Sequence, residues 1–164
     1  MNYRIRTGTR DDRRLLADLI SRSFRDVAER FGLTAENCPR HASNCSEEWI
    51  EKDMDRGIAY FILEDEDRAA GCAGLEEAQA GVCHLERLAV LPERRKRGCG
   101  GALIKHAFSE AKRLGARSVS IGVIAEHAEL KRWYRKFGFE ETESRTFSHL
   151  PFQVSFMSCS LQSD

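Results

Sequence analysis

The chain of 164 residues has no excess of charge of either sign, since 26 lysines and arginines balance 26 aspartates and glutamates. A net charge of zero gives no general attraction to nucleic acid or to an anionic membrane surface. Apolar runs are also short, and none approaches the roughly 20 residues that span a bilayer. We therefore expect the protein to bind neither nucleic acid nor a membrane. Any binding of an anion must come from a local group of basic residues.

Paired cysteine motifs are missing as well. The six cysteines are scattered, and no two of them form a C-x-x-C pair. Cys38, His41 and Cys45 offer three metal ligands at a spacing that fits no standard site, so we expect no metal. The N-terminal segment 1–6 lacks the apolar core of a signal peptide. These absences predict a cytoplasmic protein with reduced thiols.

Internal repeats, low-complexity tracts and interdomain linkers are also absent from the sequence. A domain holds about 150 residues, so we expect a single domain over residues 1–164. A chain of this length buries about two-thirds of its unfolded surface and needs neither disulfides nor metal to fold. We expect a monomer or a homodimer.

The sequence does contain an ordered series of helical and extended patterns. Apolar residues at helical intervals between an N-capping Thr9 and Gly32 predict one helix of over twenty residues. A second helix is predicted between Ser46 and Gly57. The segment 33–45 that separates them is a loop by composition.

Strands and two further helices make up the rest of the prediction. The strands are predicted at residues 3–7, 58–63, 69–77, 82–90, 118–124, 139–147 and 154–160, and the helices at 98–114 and 129–137. A meander of strands precedes a single β-α-β crossover. That order predicts an α+β fold rather than a doubly wound sheet.

The segment that joins the strand at 82–90 to the helix at 98–114 combines four basic residues with three glycines, in the order Arg94-Arg95-Lys96-Arg97-Gly98-Cys99-Gly100-Gly101. Unpaired N–H groups at a helix start favour anions, and glycine lets a phosphate approach them. The segment matches neither a Walker A loop nor a dinucleotide fingerprint, which needs a third glycine where Leu103 stands. Two alternatives stay open: a solvated charge run with turn-forming glycines, and a nucleic-acid patch, which the lack of interleaved aromatics disfavours.

Two motifs resemble those of the GNAT superfamily of N-acetyltransferases. Segment 88–100 (Leu-Ala-Val-Leu-Pro-Glu-Arg-Arg-Lys-Arg-Gly-Cys-Gly) is similar to the acetyl-CoA-binding motif, in which an apolar strand end and a proline precede Arg/Gln-x-x-Gly-x-Gly/Ala. Arg95, Gly98 and Gly100 match its fixed positions. Downstream, segment 133–139 (Trp-Tyr-Arg-Lys-Phe-Gly-Phe) is similar to the family's aromatic-Tyr-x-x-x-Gly-Phe helix end, and its distance from the first motif also fits.

The resemblance implies a GNAT fold: a mixed central sheet of about seven strands, flanked by about four helices and splayed between strands four and five. It implies an enzyme that moves the acetyl group of acetyl-CoA to a primary amine of a small molecule or peptide, by direct attack of the amine on the thioester. The alternative is a catalytically silent GNAT-fold module that binds CoA as a sensor or regulatory partner. An intact Tyr134 favours the enzyme.

The same resemblance implies where acetyl-CoA binds. Its pantetheine arm would lie beside strand four, on backbone groups of Leu88 and Val90, with the Leu88 N–H facing the thioester oxygen. The pyrophosphate would meet the N–H groups of residues 96–101. Lys96 stands where the family often has glycine, and His127 stands where many relatives carry an asparagine that contacts the pantetheine arm. The expected contacts with acetyl-CoA are Leu88, Ala89, Val90, Arg95, Lys96, Arg97, Gly98, Cys99, Gly100, Gly101, His127 and Trp133.

Three residues are expected to move protons. Tyr134 matches the family's general acid, because a tyrosine with a pKa of about 10 is protonated at neutral pH and can donate to the leaving thiolate. The base is expected on strand four, where Glu86 and His84 lie two residues apart and share a face. The alternatives are that Tyr134 is only a packed helix residue and that Glu86 only pairs with Arg87.

One cysteine is placed for reactivity. Cys99 lies at a predicted helix start beside Arg97, and both features lower the pKa of a thiol. We expect a reactive or oxidisable thiol there rather than a catalytic one.

The acceptor amine is expected between two loops. In the family fold it lies between the loop joining the first two helices and the loop joining the last two strands, here segments 33–45 and 148–152. Their distinctive residues are Asn37, Arg40, His41, Asn44, His149, Pro151 and Phe152. Neither segment carries an acidic cluster that would select a polyamine. The mixture suits a small metabolite, an amino-acid-like amine or a peptide end equally well.

Overall fold

The computed structural model describes residues 2–161, whose strands form one sheet of seven in the order β1-β2-β3-β4-β5-β7-β6. The strands are β1 Tyr3–Thr7, β2 Ala59–Asp65, β3 Arg68–Gln79, β4 Val82–Val90, β5 Ser118–Ile124, β6 Glu140–Thr146 and β7 Gln153–Ser160. Every neighbouring pair is antiparallel except β4 and β5, which are parallel. The predicted mixed sheet is therefore confirmed.

Helices cover both faces of the sheet. They are α1 Arg13–Ser23, α2 Arg25–Arg30, α3 Glu47–Asp55, α4 Cys99–Arg113 and α5 Ala128–Arg135. Alternate residues of β2 show the two layers, since Tyr60 and Ile62 pack with α1 and α3 whereas Phe61 and Leu63 pack with α4. Within residues 2–161, no helix is long and apolar enough to cross a bilayer.

The first predicted helix is interrupted at Phe24, which has φ −99° and ψ 1° and separates α1 from α2. A side chain from a distant part of the chain binds at this break. The Arg95 guanidinium donates a hydrogen bond to the Ser23 carbonyl oxygen at 2.6 Å, so that this oxygen is taken by a side chain at the helix break. Apolar spacing continues through the break, and it therefore predicted one helix where the structure has two.

The parallel pair β4–β5 is joined at one end only. Its register covers Val82 to His84 on β4 and Ser118 to Ser120 on β5. Beyond His84, β4 continues for six residues and β5 runs on to Ile124 without pairing to it. The two strands therefore splay apart, as the resemblance to the GNAT fold predicted.

A bulge in β4 lies within the splayed part. Gly74 of β3 faces Glu86, and Cys72 faces Ala89, so β4 has one residue more than β3 in the interval. Arg87 occupies this bulge with φ +50°, the left-handed region that non-glycine residues rarely adopt. The bulge re-aims the side chains of β4 beside the opening between the strands.

Candidate active site

The opening between β4 and β5 contains a cavity of about 930 Å³. Its walls come from β4, β5, α5, the β4–α4 loop and the junction of α1 with α2. Most of the residues predicted for the site line it: Glu86, Leu88, Ala89, Val90, Arg95, Lys96, Gly98, Cys99, Gly100, Gly101, His127, Trp133 and Tyr134. The structure thus brings both sequence motifs to a single cavity.

Two of the predicted residues lie outside the cavity lining. His84 sits where β4 is still paired with β5, and its Nδ1 is hydrogen-bonded to the Ser120 hydroxyl. The exposed Arg97 side chain approaches the buried Asp65 carboxylate at 4.0 Å. His84 as a base and Arg97 as a ligand contact therefore stay predictions that the cavity lining does not support.

The start of α4 offers an anion site. Gly98 caps the helix in the left-handed conformation, with φ +85°. The N–H of Ala102 donates to the Gly98 carbonyl oxygen at 3.0 Å and so closes the first turn, which leaves the N–H groups of residues 99–101 without helical partners. These groups and the positive end of the helix dipole favour a negatively charged ligand.

The Arg95 side chain fastens the β4–α4 loop to the end of β4 and to the α1–α2 junction. Its Nε donates to the Val90 carbonyl oxygen at 3.2 Å, and its Nη1 donates to the Asp26 carboxylate at 2.6 Å. Its Nη2 donates to the Ser23 carbonyl oxygen at 2.6 Å. All three guanidinium nitrogens are therefore engaged within the protein. Among the described residues, no carboxylate lies within ion-pair distance of Lys96, which leaves its ammonium for an anion at the cavity edge.

Lys96 has φ +64°, which explains the frequent glycine at this position in the resembling motif. A side chain in the left-handed region costs about 1–2 kcal/mol, whereas glycine adopts it freely. In this chain a lysine adopts the left-handed conformation despite that cost, and its cation lies beside the start of α4.

The glycines of α4 make room for aromatic rings. A Cβ on Gly100 would lie 2.8 Å from the Trp133 ring, and a Cβ on Gly101 would lie 3.1 Å from the Phe137 ring. The sequence alone suggested that these glycines admit a phosphate. In the structure they make room for Trp133 of α5 and for Phe137, which follows that helix.

We expect Gly100→Ala to destabilise the fold by about 1–2 kcal/mol, because the clash with Trp133 outweighs the helix propensity gained by alanine. Urea unfolding followed by circular dichroism measures this change. In a Trp133→Leu background the same substitution should cost much less, since the ring is gone. Strictly additive effects of the two substitutions would show that the ring does not explain the glycine.

Tyr134 lies at the cavity with most of its surface buried. Its residue is 7% exposed and lines the cavity, with its ring packed at 5.1 Å from Trp133 and 5.4 Å from Phe139. Burial raises the pKa of its hydroxyl above the ordinary value. The hydroxyl is therefore protonated at neutral pH.

Glu86 has the properties of a general base. Burial, followed by the charge of the neighbouring Glu76 carboxylate, raises the pKa of Glu86 to about 7. The charges of Arg87 and Arg56 oppose this rise without cancelling it, and Arg56 Nη2 lies 3.9 Å from a carboxylate oxygen of each glutamate. Sequence reasoning missed Glu76, although pairing β3 with β4 in register would have placed it diagonally across from Glu86.

Arg87 is engaged away from Glu86, which disfavours the alternative that the two form a simple pair. Its Nη1 donates to the buried Asp53 carboxylate and to the Tyr60 hydroxyl, the latter at 3.0 Å. The Tyr60 hydroxyl in turn donates to Asp53 at 2.6 Å. This satisfied network anchors the bulge to α3 and leaves Glu86 to the cavity.

His127 presents an unsatisfied polar atom at the cavity. Its Nδ1 is buried without a hydrogen-bond partner among residues 2–161, although Glu129 Oε2 lies 3.5 Å away. Burial, and then the charge of Arg30, lowers the pKa of the ring, which is therefore neutral at pH 7. A buried polar atom without a partner is costly, and a ligand amide would satisfy it. The residue thus fits the pantetheine role that the resemblance assigned to this position.

The expectation of a reactive thiol at Cys99 is wrong. Cys99 is 1% exposed, and burial followed by the Asp65 charge raises its pKa, which outweighs the opposing effects of Arg94 and Arg97. Its side chain belongs to the inner face of α4. The buried positions of that helix, which recur at helical spacing, are Cys99, Leu103, Ile104, Ala107 and Ala111.

The two predicted acceptor loops meet beside the cavity. Leu33 and Cys38 pack with Leu150 and Phe152 in one apolar cluster. Of the distinctive loop residues, only His41 and Phe152 line the cavity. Asn37 and Asn44 instead donate to backbone carbonyl oxygens within their own loop.

Comparison with known proteins supports this architecture. Residues 16–139 match the acetyltransferase (GNAT) family. The chain is 27% identical over 127 residues to the uncharacterized N-acetyltransferase YjgM of Escherichia coli, across 76% of each chain. The crystal structure of the ribosomal-protein-S18-alanine N-acetyltransferase of Escherichia coli aligns with a TM-score of 0.77 at 18% identity, over 99% of this chain and 96% of that one. The acetyltransferase yncA of Salmonella typhimurium, solved with its cofactor acetyl-CoA, aligns with a TM-score of 0.74 at 18% identity, over 100% and 96% of the two chains.

The solved structures are too distant in sequence to show more than the fold. The family match is more specific, because it extends from α1 to Phe139 and includes the splay, the start of α4 and Tyr134. The chain belongs to the acetyltransferase (GNAT) family.

Proposed function

We propose that the protein transfers the acetyl group of acetyl-CoA to a primary amine of a small molecule or a peptide. The observation that carries this proposal is the cavity between β4 and β5, where a protonated Tyr134 and a Glu86 with a pKa of about 7 line the same space as the start of α4. An anion site, a proton donor and a proton acceptor are the three parts that such a transfer needs.

The residues that would hold acetyl-CoA follow the course of the cavity. The N–H groups of residues 99–101 and the Lys96 ammonium would bind its phosphates. The edge of β4 from Leu88 to Val90, which β5 leaves unpaired, would accept the amide-bearing arm as an added strand. His127 Nδ1 would gain the hydrogen-bond partner that it lacks among residues 2–161.

Residues of this chain would accept and donate the protons that the transfer requires. Acetyl-CoA supplies an acetyl group activated as a thioester, which the amine attacks directly. An alkyl amine with a pKa of about 10.4 arrives mostly protonated, and the Glu86 carboxylate takes this proton directly or through water. Formation of the amide releases a second proton from the nitrogen, which passes through water and replaces the proton that Tyr134 donates. The Leu88 N–H at the bulge is the candidate partner for the thioester oxygen, and the Tyr134 hydroxyl donates to the departing sulfur.

A screen of acetyl-CoA thioester cleavage over diverse amines tests the proposal, followed by mass analysis of each product. The panel should contain amino acids, small alkyl and aryl amines, polyamines and peptides with free N-termini. We expect at least one amine to gain 42 Da, the mass of an acetyl group replacing a proton, with release of one thiol per product (about one-to-one stoichiometry). Acetyl-CoA binding without any acetylated product across the panel would instead favour a silent CoA-binding module.

A further inference from the structure

The short helix α2 lies beside the cavity. It comprises Arg25–Arg30, and its Asp26 and Arg30 both line the cavity. The two residues carry opposite charges, and each is paired with a different wall. Nothing in the two sequence motifs involves this helix.

One end of α2 is fastened to the β4–α4 loop. The Asp26 carboxylate accepts hydrogen bonds from Arg95 Nη1 at 2.6 Å and Nη2 at 3.4 Å. Burial acts to raise the pKa of Asp26, but the Arg95 hydrogen bonds and charge lower it overall. Because Arg95 also holds the Ser23 carbonyl oxygen, the loop that begins the anion site is joined to the α1–α2 junction.

The other end of α2 is fastened to α5. Arg30 donates from both terminal nitrogens to the two carboxylate oxygens of Glu129, with Nη2 to Oε1 at 3.2 Å. The Arg30 guanidinium also lies over the Phe31 ring at 5.1 Å. That ring is 5.5 Å from the ring of His127, so this contact adjoins the unsatisfied Nδ1.

We propose that α2 is a strap across the β4–β5 opening, in which Asp26 and Arg30 are positioning residues that hold the two cavity walls together around acetyl-CoA. The inference rests on the proposed function, because it concerns how the acetyl-CoA site is kept closed. Asp26 acts through Arg95 on the β4–α4 loop. Arg30 acts through Glu129 on the start of α5 and on His127.

Because Asp26 and Arg30 carry opposite charges, substituting each of them distinguishes a strap from a direct electrostatic effect on CoA. If Asp26 and Arg30 act only by their fields on the anionic ligand, Asp26→Asn should slow CoA release and Arg30→Gln should speed it. If they act as the fastenings of a strap, both substitutions should speed release. Exposed ion pairs contribute modestly, so we expect an increase of about two- to five-fold in each case.

The test is the rate of CoA dissociation measured by stopped flow. Tryptophan fluorescence reports the release, since Trp133 lines the cavity. The variants are Asp26→Asn, Arg30→Gln and the conservative Asp26→Glu, which should restore slow release. The matched control is Arg10→Gln, which removes the exposed Arg10–Asp55 ion pair outside the cavity and should leave the rate unchanged. A parallel hydrogen-exchange measurement on the ligand-free variants should show faster exchange in α2 and unchanged exchange in β5.

Each outcome has a definite meaning. Faster release in both single variants, with rescue by Asp26→Glu, supports the strap. Opposite changes in the two variants, or unchanged rates in both, would overturn it. Failure of the unsubstituted protein to bind CoA would overturn the proposed function itself and the strap with it, and this result is obtained before any variant is made.

Discussion

We expect Tyr134→Phe to lower kcat by about 10²-fold or more while acetyl-CoA binding is retained, because general acid catalysis contributes about 10²–10⁴-fold. The substitution removes only the hydroxyl, and the ring keeps its packing against Trp133 and Phe139. Since burial raises the pKa of this tyrosine, the loss should be similar across the neutral pH range. Steady-state kinetics on an amine found in the screen measure kcat, and calorimetry measures binding.

The control for Tyr134 is the other tyrosine with a buried hydroxyl. Tyr60→Phe removes a hydroxyl that bonds Asp53 outside the cavity lining, in the network that anchors the β4 bulge. Its main effect should be a loss of stability, and any fall in turnover should be much smaller than that of Tyr134→Phe. Full activity of Tyr134→Phe would show that the departing sulfur needs no donor from this residue. Loss of acetyl-CoA binding in that variant would show a binding role instead of an acid role.

Glu86→Gln should remove the rise of activity with pH that centres near 7. In the unsubstituted protein kcat/KM should increase as Glu86 deprotonates through its pKa of about 7, because only the carboxylate can accept a proton. Glutamine cannot accept it, so we expect activity above pH 7 to fall by about 10²-fold. A pH–rate profile of both proteins, with the same amine at sub-saturating concentration, makes the comparison.

Glu76→Gln is the matched control for Glu86. It removes a neighbouring negative charge that helps to raise the pKa of Glu86, so the inflection should move to lower pH while turnover above it persists. An unchanged profile in Glu86→Gln would mean that water alone takes the proton from the amine. An unchanged inflection in Glu76→Gln would mean that burial alone sets the pKa of Glu86.

Local patterns predicted the sheet closely because its strands satisfy period-two and turn rules within short windows. The strands at 82–90 and 118–124 were predicted with the bounds that the structure has. The break at Phe24 escaped prediction, and the hydrogen bond that accompanies it comes from Arg95, which lies far along the chain. A contact of this kind leaves no mark on apolar spacing.

The sequence predicted the site residues that belong to the two motifs. It did not predict the neighbouring residues that other strands and helices bring to them. Glu86 and Tyr134 were expected from the resemblance to the GNAT motifs, and the structure places both at the cavity. Glu76 raises the pKa of Glu86 across the β3–β4 register, which single-strand reasoning does not include. Cys99 was misjudged because its sequence neighbours are basic, whereas burial on the inner face of α4 determines the pKa of its thiol.

Titration of the unsubstituted protein with acetyl-CoA, by calorimetry and tryptophan fluorescence together, tests whether the cavity between β4 and β5 binds acetyl-CoA. We expect saturable binding of about one acetyl-CoA per chain with a Kd of about 1 μM to 1 mM, accompanied by a change in fluorescence. Absence of both a binding heat and a fluorescence change at millimolar acetyl-CoA would contradict the assignment of the β4–β5 cavity as the acetyl-CoA site.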